Sequence, residues 1–166
     1  VEVKVAAPTF TLRHLELYNR HKLERGLSRT HEETDEQGFR MHLLNASVDS
    51  REVQYWAGGK LIAFSTLDFG KTSCSSVYHC FDPDESARSL GVYSVLKEIE
   101  YCAQQGLDWY YLGLYVDDCP HLNYKASYFP HQRKAQGTWR EFTHAAPQAG
   151  TPLVSQPPSV KPPKPG

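Results

Sequence analysis

Asp82 stands directly before Pro83, at the end of the strand-like run 75–81, and opens an acidic turn with Asp84. A carboxylate fixed by a proline turn is placed to hold or deprotonate an incoming ammonium, although Asp-Pro also starts ordinary turns and caps helices. Shortly after it, Arg88, Gly91 and Tyr93 spell R-x-x-G-x-Y at the head of a helical period. A helix N-terminus offers unpaired N–H groups and a positive dipole end, and a glycine there lets a ligand approach the backbone. The same glycine also suits plain helix–sheet packing. Gly113 interrupts an aromatic strand, which implies a bulge or a close backbone approach. Beyond Cys119-Pro120, Asn123, Tyr124 and Lys125 add a cation that reads a carboxylate or a phosphate, or is simply a surface charge.

These groups need a frame. Val1, Val3 and Val5 alternate with Glu2 and Lys4 as an entering strand, and 11–25 forms a basic, leucine-bearing helix stopped by Gly26. Residues 51–56 and 60–68 flank Gly58-Gly59 as a β-hairpin, and 75–81 adds a strand. From Ser86 to Gln105 the period becomes helical, with Leu90, Val92, Tyr93, Leu96, Ile99 and Ala103 as the expected buried face. Ser86 or Asp84 caps its start and Gly106 closes it; on this reading Leu96→Ala costs about 2–5 kcal/mol. Residues 109–116 return to strand, so 75–116 makes a βαβ unit with parallel strands.

Composition excludes several classes. The chain has 166 residues, 40% of them hydrophobic, which fits one domain with a core, expected over residues 1–144. After it, 145–166 is proline-rich and nearly free of large apolar groups, as in a disordered, partly polyproline tail. A net charge of -1 gives no global attraction to polyanions. Local basic patches remain at Arg13, Arg20, Lys22, Arg25 and Arg29, and at Lys125, Arg133, Lys134 and Arg140. The four cysteines lack CxxC spacing and the eight histidines show no HxxxH pair, so no metal is expected. Cys80 and Cys102 sit in apolar patterns as packed thiols. No apolar run approaches the ~20 residues that span a bilayer and no signal peptide opens the chain, so a cytoplasmic location without membrane partners is expected.

The stretch from Tyr78 to Pro130 resembles the C-terminal catalytic half of the arginyl-tRNA-protein transferases and their bacterial aspartate/glutamate leucyltransferase relatives. The likeness rests on Phe81-Asp82-Pro83-Asp84, Arg88-Ser89-Leu90-Gly91 with Tyr93, Tyr111-Leu112-Gly113, and Cys119-Pro120 followed by Asn123-Tyr124-Lys125. It implies an α+β, GNAT-like acyltransferase fold with a mixed, mostly antiparallel sheet, a βαβ crossover helix and flanking helices. It also implies transfer of an arginyl or leucyl group from aminoacyl-tRNA to the N-terminal amine of proteins beginning with Asp or Glu, as in the N-degron pathway. The family's cysteine-bearing N-terminal half has no counterpart in these residues, and Asp117 and Asp118 are more acidic than is usual there.

In that frame the two strands flanking the crossover helix splay apart and the donor lies between them. Tyr78, His79 and Asp82 then face the chemistry from one side, and Gly113 and Tyr115 from the other. Asp82, Tyr78 and Gly113 are the expected catalytic set; Arg88, Gly91, Tyr93, Tyr115, Asn123, Tyr124 and Lys125 are the expected substrate-binding set. An Asp82→Asn change is expected to depress transfer with little loss of fold. Tyr110, Tyr111, Tyr115, Tyr124, Tyr128 and Phe129 include core rings and one or two that stack on the terminal adenosine. GNAT acetyltransferases hold a pyrophosphate with (R/Q)xxGx(G/A); the bulk of Tyr93 at the last small position argues against coenzyme A, and no cofactor is expected. An N-acetyltransferase, or a module that binds peptide or tRNA without turnover, are the rival readings.

Overall fold

The computed structural model describes residues 1–27, 32–44 and 47–144, which places the expected proline-rich tail at 145–166 outside the described residues. The chain divides into two compact units, Val1–Gly113 and Leu114 onward, where one domain to residue 144 was expected.

The first unit holds strands β1 (Glu2–Ala6), β2 (Asp49–Ala57), β3 (Lys60–Phe69), β4 (Ser73–Phe81) and β5 (Trp109–Tyr111), hydrogen-bonded in that order. Neighbours from β1 to β4 are antiparallel, and β4 and β5 are parallel. The sheet is thus mixed and mostly antiparallel, in an α+β, GNAT-like fold. Gly58 and Gly59, both at positive φ, make the tight β2–β3 turn. β3 is buried from Leu61 through Leu67 because helices cover both sheet faces.

One face receives α1 (Leu12–Glu24) and α2 (Glu36–Leu43), with Leu17, Phe39, Leu43, Leu61, Phe64 and Cys80 at the core. Thr11 caps α1 by accepting from the His14 N–H, and Asp35 caps α2 by accepting from the Gly38 N–H. The sequence reading did not include α2, although Asp35 followed by Phe39 and Leu43 carries both a cap and a one-turn apolar spacing.

The other face receives α3 (Leu90–Gln104), the crossover between β4 and β5. It starts later than Ser86, because the chain first forms a 3-10 helix (Pro83–Arg88) and then passes through Ser89 at φ 52. Its buried face is Leu90, Ser94, Val95, Glu98 and Cys102, whereas Val92, Leu96 and Ile99 are 51%, 53% and 40% exposed. The expected face was therefore wrong at Val92, Leu96, Ile99 and Ala103. Two inward positions are polar: the Ser94 hydroxyl donates to the Gly91 carbonyl one turn back at 2.9 Å, and the Tyr110 hydroxyl, from β5, donates to Glu98 Oε2 at 2.5 Å. A hydrophobic period cannot select a face that carries Ser and Glu.

Burial pushes the Glu98 carboxyl above its ordinary value, against hydrogen bonds from Ser65, Tyr110 and Ser76 that pull it down. A carboxyl whose folded pKa is raised contributes stability that is complete below the unfolded value of 4.5 and is lost as pH rises through the folded one. Glu98→Gln keeps an acceptor for Tyr110 and removes the titration. In melts from pH 4 upward it should gain on the wild type as pH rises past 4.5; parallel curves would contradict this.

The second unit contains α4 (Pro120–Asn123), a 3-10 helix (Tyr124–Ser127), and a hairpin of β6 (His131–Ala135) and β7 (Thr138–Phe142). Gln136 and Gly137, both at positive φ, form its turn. Arg133 of the second basic patch lies on β6 and Arg140 on β7.

Candidate functional site

β4 and β5 pair only through Ser73–Trp109, Cys74–Tyr110 and Ser75–Tyr111. β4 then runs on to Phe81 while β5 ends, so the expected fork is present, although β5 is far shorter than 109–116. Gly113, at φ 79, lies just beyond β5, a backbone that L side chains rarely adopt. A register shift between Thr66 and Leu67 leaves Val77 without a β3 partner, half exposed on β4.

The two faces of β4 separate the residues above the fork. Tyr78 is half-buried against the α1 side, its ring 5.3 Å from Tyr18, and burial pushes its phenol well above the usual range. His79 turns to the α3 side, where Nδ1 lies 2.8 Å from Ser65 Oγ and the ring meets Tyr55 edge-on at 6.0 Å. Burial drops its pKa to about 3, so this imidazole is neutral. The Phe81 N–H reaches His21 Nδ1 at 3.4 Å, and burial lowers His21 to about 4.

Asp82 is fully buried where β4 ends. Its Oδ1 accepts from Arg20 Nη1 at 2.8 Å and from the Asp84 N–H at 3.3 Å, and its Oδ2 accepts from Arg13 Nη2 at 2.6 Å and Lys60 Nζ at 2.9 Å. Burial alone would raise its pKa; the bonds from Arg13, Lys60 and Asp84 and the charge of Arg20 overcome that and hold it at about 2. A carboxylate has about four acceptor positions, and all are taken. The geometry therefore leaves neither a lone pair for an incoming ammonium nor a base for its proton, and the cap on Asp84 fits the plainer reading of Asp-Pro. Sequence reasoning did not find these partners of Asp82. Arg13 and Arg20, two turns apart on one face of α1, were a signal; Lys60 joins them only through the hairpin.

At the head of α3, Arg88 is tied to Glu85 Oε2 at 2.5 Å. A Cβ on Gly91 would meet nothing within 4 Å, so packing does not demand this glycine. Tyr93 turns its ring onto Tyr55 at 6.0 Å and packs against the α3-side core. Its bulk is directed inward, and the argument against coenzyme A from that bulk loses its geometric basis.

The remaining expected residues lie in the second unit. The Tyr115 hydroxyl donates to Asp117 Oδ1 at 2.6 Å, and Asn123 Nδ2 donates to the Asp117 carbonyl at 3.1 Å. Lys125 Nζ donates to the Leu114 carbonyl at 2.7 Å, and burial lowers its pKa. Tyr124 is 45% exposed, its ring 6.4 Å from that of Tyr128. Arg133 lies over the rings of Tyr115 and Phe142 at 4.6 and 3.8 Å. Of the first basic patch, Lys22 donates to Thr34 Oγ1 and Arg25 lies over Phe81, while Arg29 falls outside the described residues.

Among the described residues no group of three or more His, Cys, Asp or Glu is placed to hold a metal, and no helix is long and apolar enough to cross a membrane. All four cysteines are free thiols, three of them buried.

Residues 13–135 match the family described as Arginine-tRNA-protein transferase, C terminus. An aspartate/glutamate leucyltransferase of Acinetobacter baumannii is 37% identical over 132 residues, covering 80% of this chain and 49% of the relative. One from Acinetobacter baylyi is 36% identical over 135 residues, covering 81% and 50%. The chain thus spans about half the length of these relatives. Among solved structures, the ribosomal-protein-S18-alanine N-acetyltransferase of Escherichia coli superposes with a TM-score of 0.54 at 12% identity, covering 80% of each chain. A possible acetyltransferase from Clostridium difficile 630 gives 0.55 at 12%, covering 76% of this chain and 87% of the other. At such identity these two show the fold alone.

Proposed function

The chain belongs to the arginine-tRNA-protein transferase C-terminal family, and on that premise we propose that it transfers an aminoacyl group, arginyl or leucyl, from aminoacyl-tRNA to the N-terminal amine of proteins beginning with Asp or Glu. The observation that carries this reading is the fork, where β4 continues past its last pair with β5 and leaves a slot beside its free edge. The modified proteins would enter an N-degron route, in a reducing cytoplasm that keeps the thiols free.

The amine nitrogen attacks the ester carbonyl carbon, the C–N bond forms, the bond to the ribose oxygen breaks, and the amine proton ends on that oxygen. An α-amine with a pKa near 7.7–8.0 is partly neutral at pH 7, so no strong base is required. Asp82, held at about 2, does not take this proton. It acts as a positioning residue that gathers Arg13, Arg20 and Lys60 at the end of β4. The Phe81 N–H points away from β3 and the Asp82 N–H points to the Ile62 carbonyl. By the same alternation the His79 N–H faces the slot, where it suits the oxyanion. Tyr78 and Gly113 shape the slot, and Arg88 and the backbone at Gly91 take a tRNA phosphate in front of Tyr93, since the Val92 and Tyr93 N–H groups already donate to the Ser89 carbonyl. Tyr115, Asn123, Tyr124 and Lys125 are assigned to tRNA or peptide contact from the second unit.

Incubation with labelled arginyl- or leucyl-tRNA and a peptide beginning with Glu should yield labelled peptide. No transfer, with thermal stabilisation by coenzyme A, would favour an acetyltransferase; binding without product would favour a non-catalytic module. Gly91→Ala separates ligand approach from folding. The added methyl has open space, so stability should hold or rise by about 0.5–1 kcal/mol. Transfer should nevertheless fall, read as a raised KM for aminoacyl-tRNA.

A further inference from the structure

A cavity of about 310 Å³ opens beside the cluster around Asp82, between the start of α1 and the β2–β3 hairpin, lined among others by Thr11, Arg13, Gln54, Trp56, Lys60 and Leu61. Its walls are largely satisfied. Trp56 Nε1 donates to Gln54 Oε1 at 3.1 Å, and His14, also on the wall, pairs with buried Glu52 at 3.0 Å. Trp56 and Leu61 supply apolar surface.

The charge around the rim is uneven. Arg13 has Glu16 as a second carboxylate at 2.8 Å, and Arg20 has Glu24 and Asp84 at 3.2 and 3.1 Å. Among the described ion pairs Lys60 has only its share of Asp82, which the two arginines also use. Three cations thus meet four carboxylates, and Lys60 is the one among them with no described carboxylate besides the shared Asp82. Its ammonium is pinned on one side by Asp82, its side chain is 54% exposed, and a Cβ at the adjoining Gly58 or Gly59 would meet nothing within 4 Å. A cation held at the mouth of a small, partly apolar cavity selects a ligand with a short hydrocarbon stem and one anionic end.

We propose that this cavity is the subsite for the side chain of an acidic first residue of the acceptor, with Lys60 reading the carboxylate and Trp56 and Leu61 packing its methylenes. The proposal rests on the reading of the chain as a transferase for acidic N-termini. Asp82 serves it by fixing the Lys60 ammonium, and the two carboxylates, the protein's and the peptide's, share one cation.

Calorimetric titration of the 166-residue chain with two peptides differing only in Glu or Gln at the first position tests it without tRNA. The wild type should bind the Glu peptide at least tenfold more tightly. In Lys60→Gln the ratio of the two dissociation constants should fall towards one, and in Lys60→Arg it should persist. General damage to the fold weakens both peptides and preserves the ratio, so an unchanged ratio in Lys60→Gln overturns the proposal, as does a wild type that binds both equally. A transfer assay on the same proteins separates the premise. Lys60-dependent discrimination without transfer refutes the transferase reading and leaves the subsite; transfer with Lys60-independent discrimination does the reverse.

Discussion

Asp82→Asn should destabilise the protein by about 3 kcal/mol at neutral pH, the lower end for a broken buried ion pair, because the arginines left behind partly reach solvent. This replaces the expectation of little loss of fold: the carboxylate holds α1, the β2–β3 turn and the end of β4 together. The pH dependence identifies the cause. Asp82 has a folded pKa of about 2 against 3.8 unfolded, so its contribution is complete above about pH 4 and is lost as pH falls through 2. The shift corresponds to about 2 kcal/mol. In chemical denaturation from pH 5 to 2 the wild type should lose this amount more than Asp82→Asn does. Equal losses would show that the carboxylate does not titrate as described. Transfer should fall with the same substitution, because the cations lose their anchor.

Leu90→Ala and Leu96→Ala form a pair with opposite outcomes. Leu90 is 1% exposed, in contact with the core shared by Tyr55, Ile62 and Cys102, and its truncation should cost about 2–5 kcal/mol. Leu96 is 53% exposed, and Leu96→Ala should stay within about 0.5 kcal/mol of wild type. Urea midpoints of the two variants decide whether α3 is set with Leu90, Val95 and Cys102 inward. A large loss at Leu96 would mean the helix is rotated.

The difference between these two leucines shows how far the residues alone could lead. Apolar spacing found α1, the β2–β3 hairpin and α3, because each carries a repeat and a glycine stop or turn. It misplaced the inward face of α3, where Ser94 is buried with its hydroxyl on the Gly91 carbonyl of the same helix and Glu98 is buried against Tyr110 of β5. It also lengthened β5, since Tyr115 and Val116 look like strand while Gly113 has already left the ladder. For the site, the position of Asp82 at the end of β4 was legible; Arg13 and Arg20 shared a face of α1, but their pairing with Asp82, and that of Lys60, was not, because ion pairing across 22 to 69 positions leaves no periodic trace.

The shortness of the β4–β5 ladder also dictates where the first unit lets go. Nine paired positions tie β2 to β3, with helices over both faces, whereas three tie β4 to β5. Local opening begins where few hydrogen bonds must break together. Amide protons of residues 109–111 will exchange with deuterated solvent long before those of β3, and the molecule breathes at its slot while the rest stays closed.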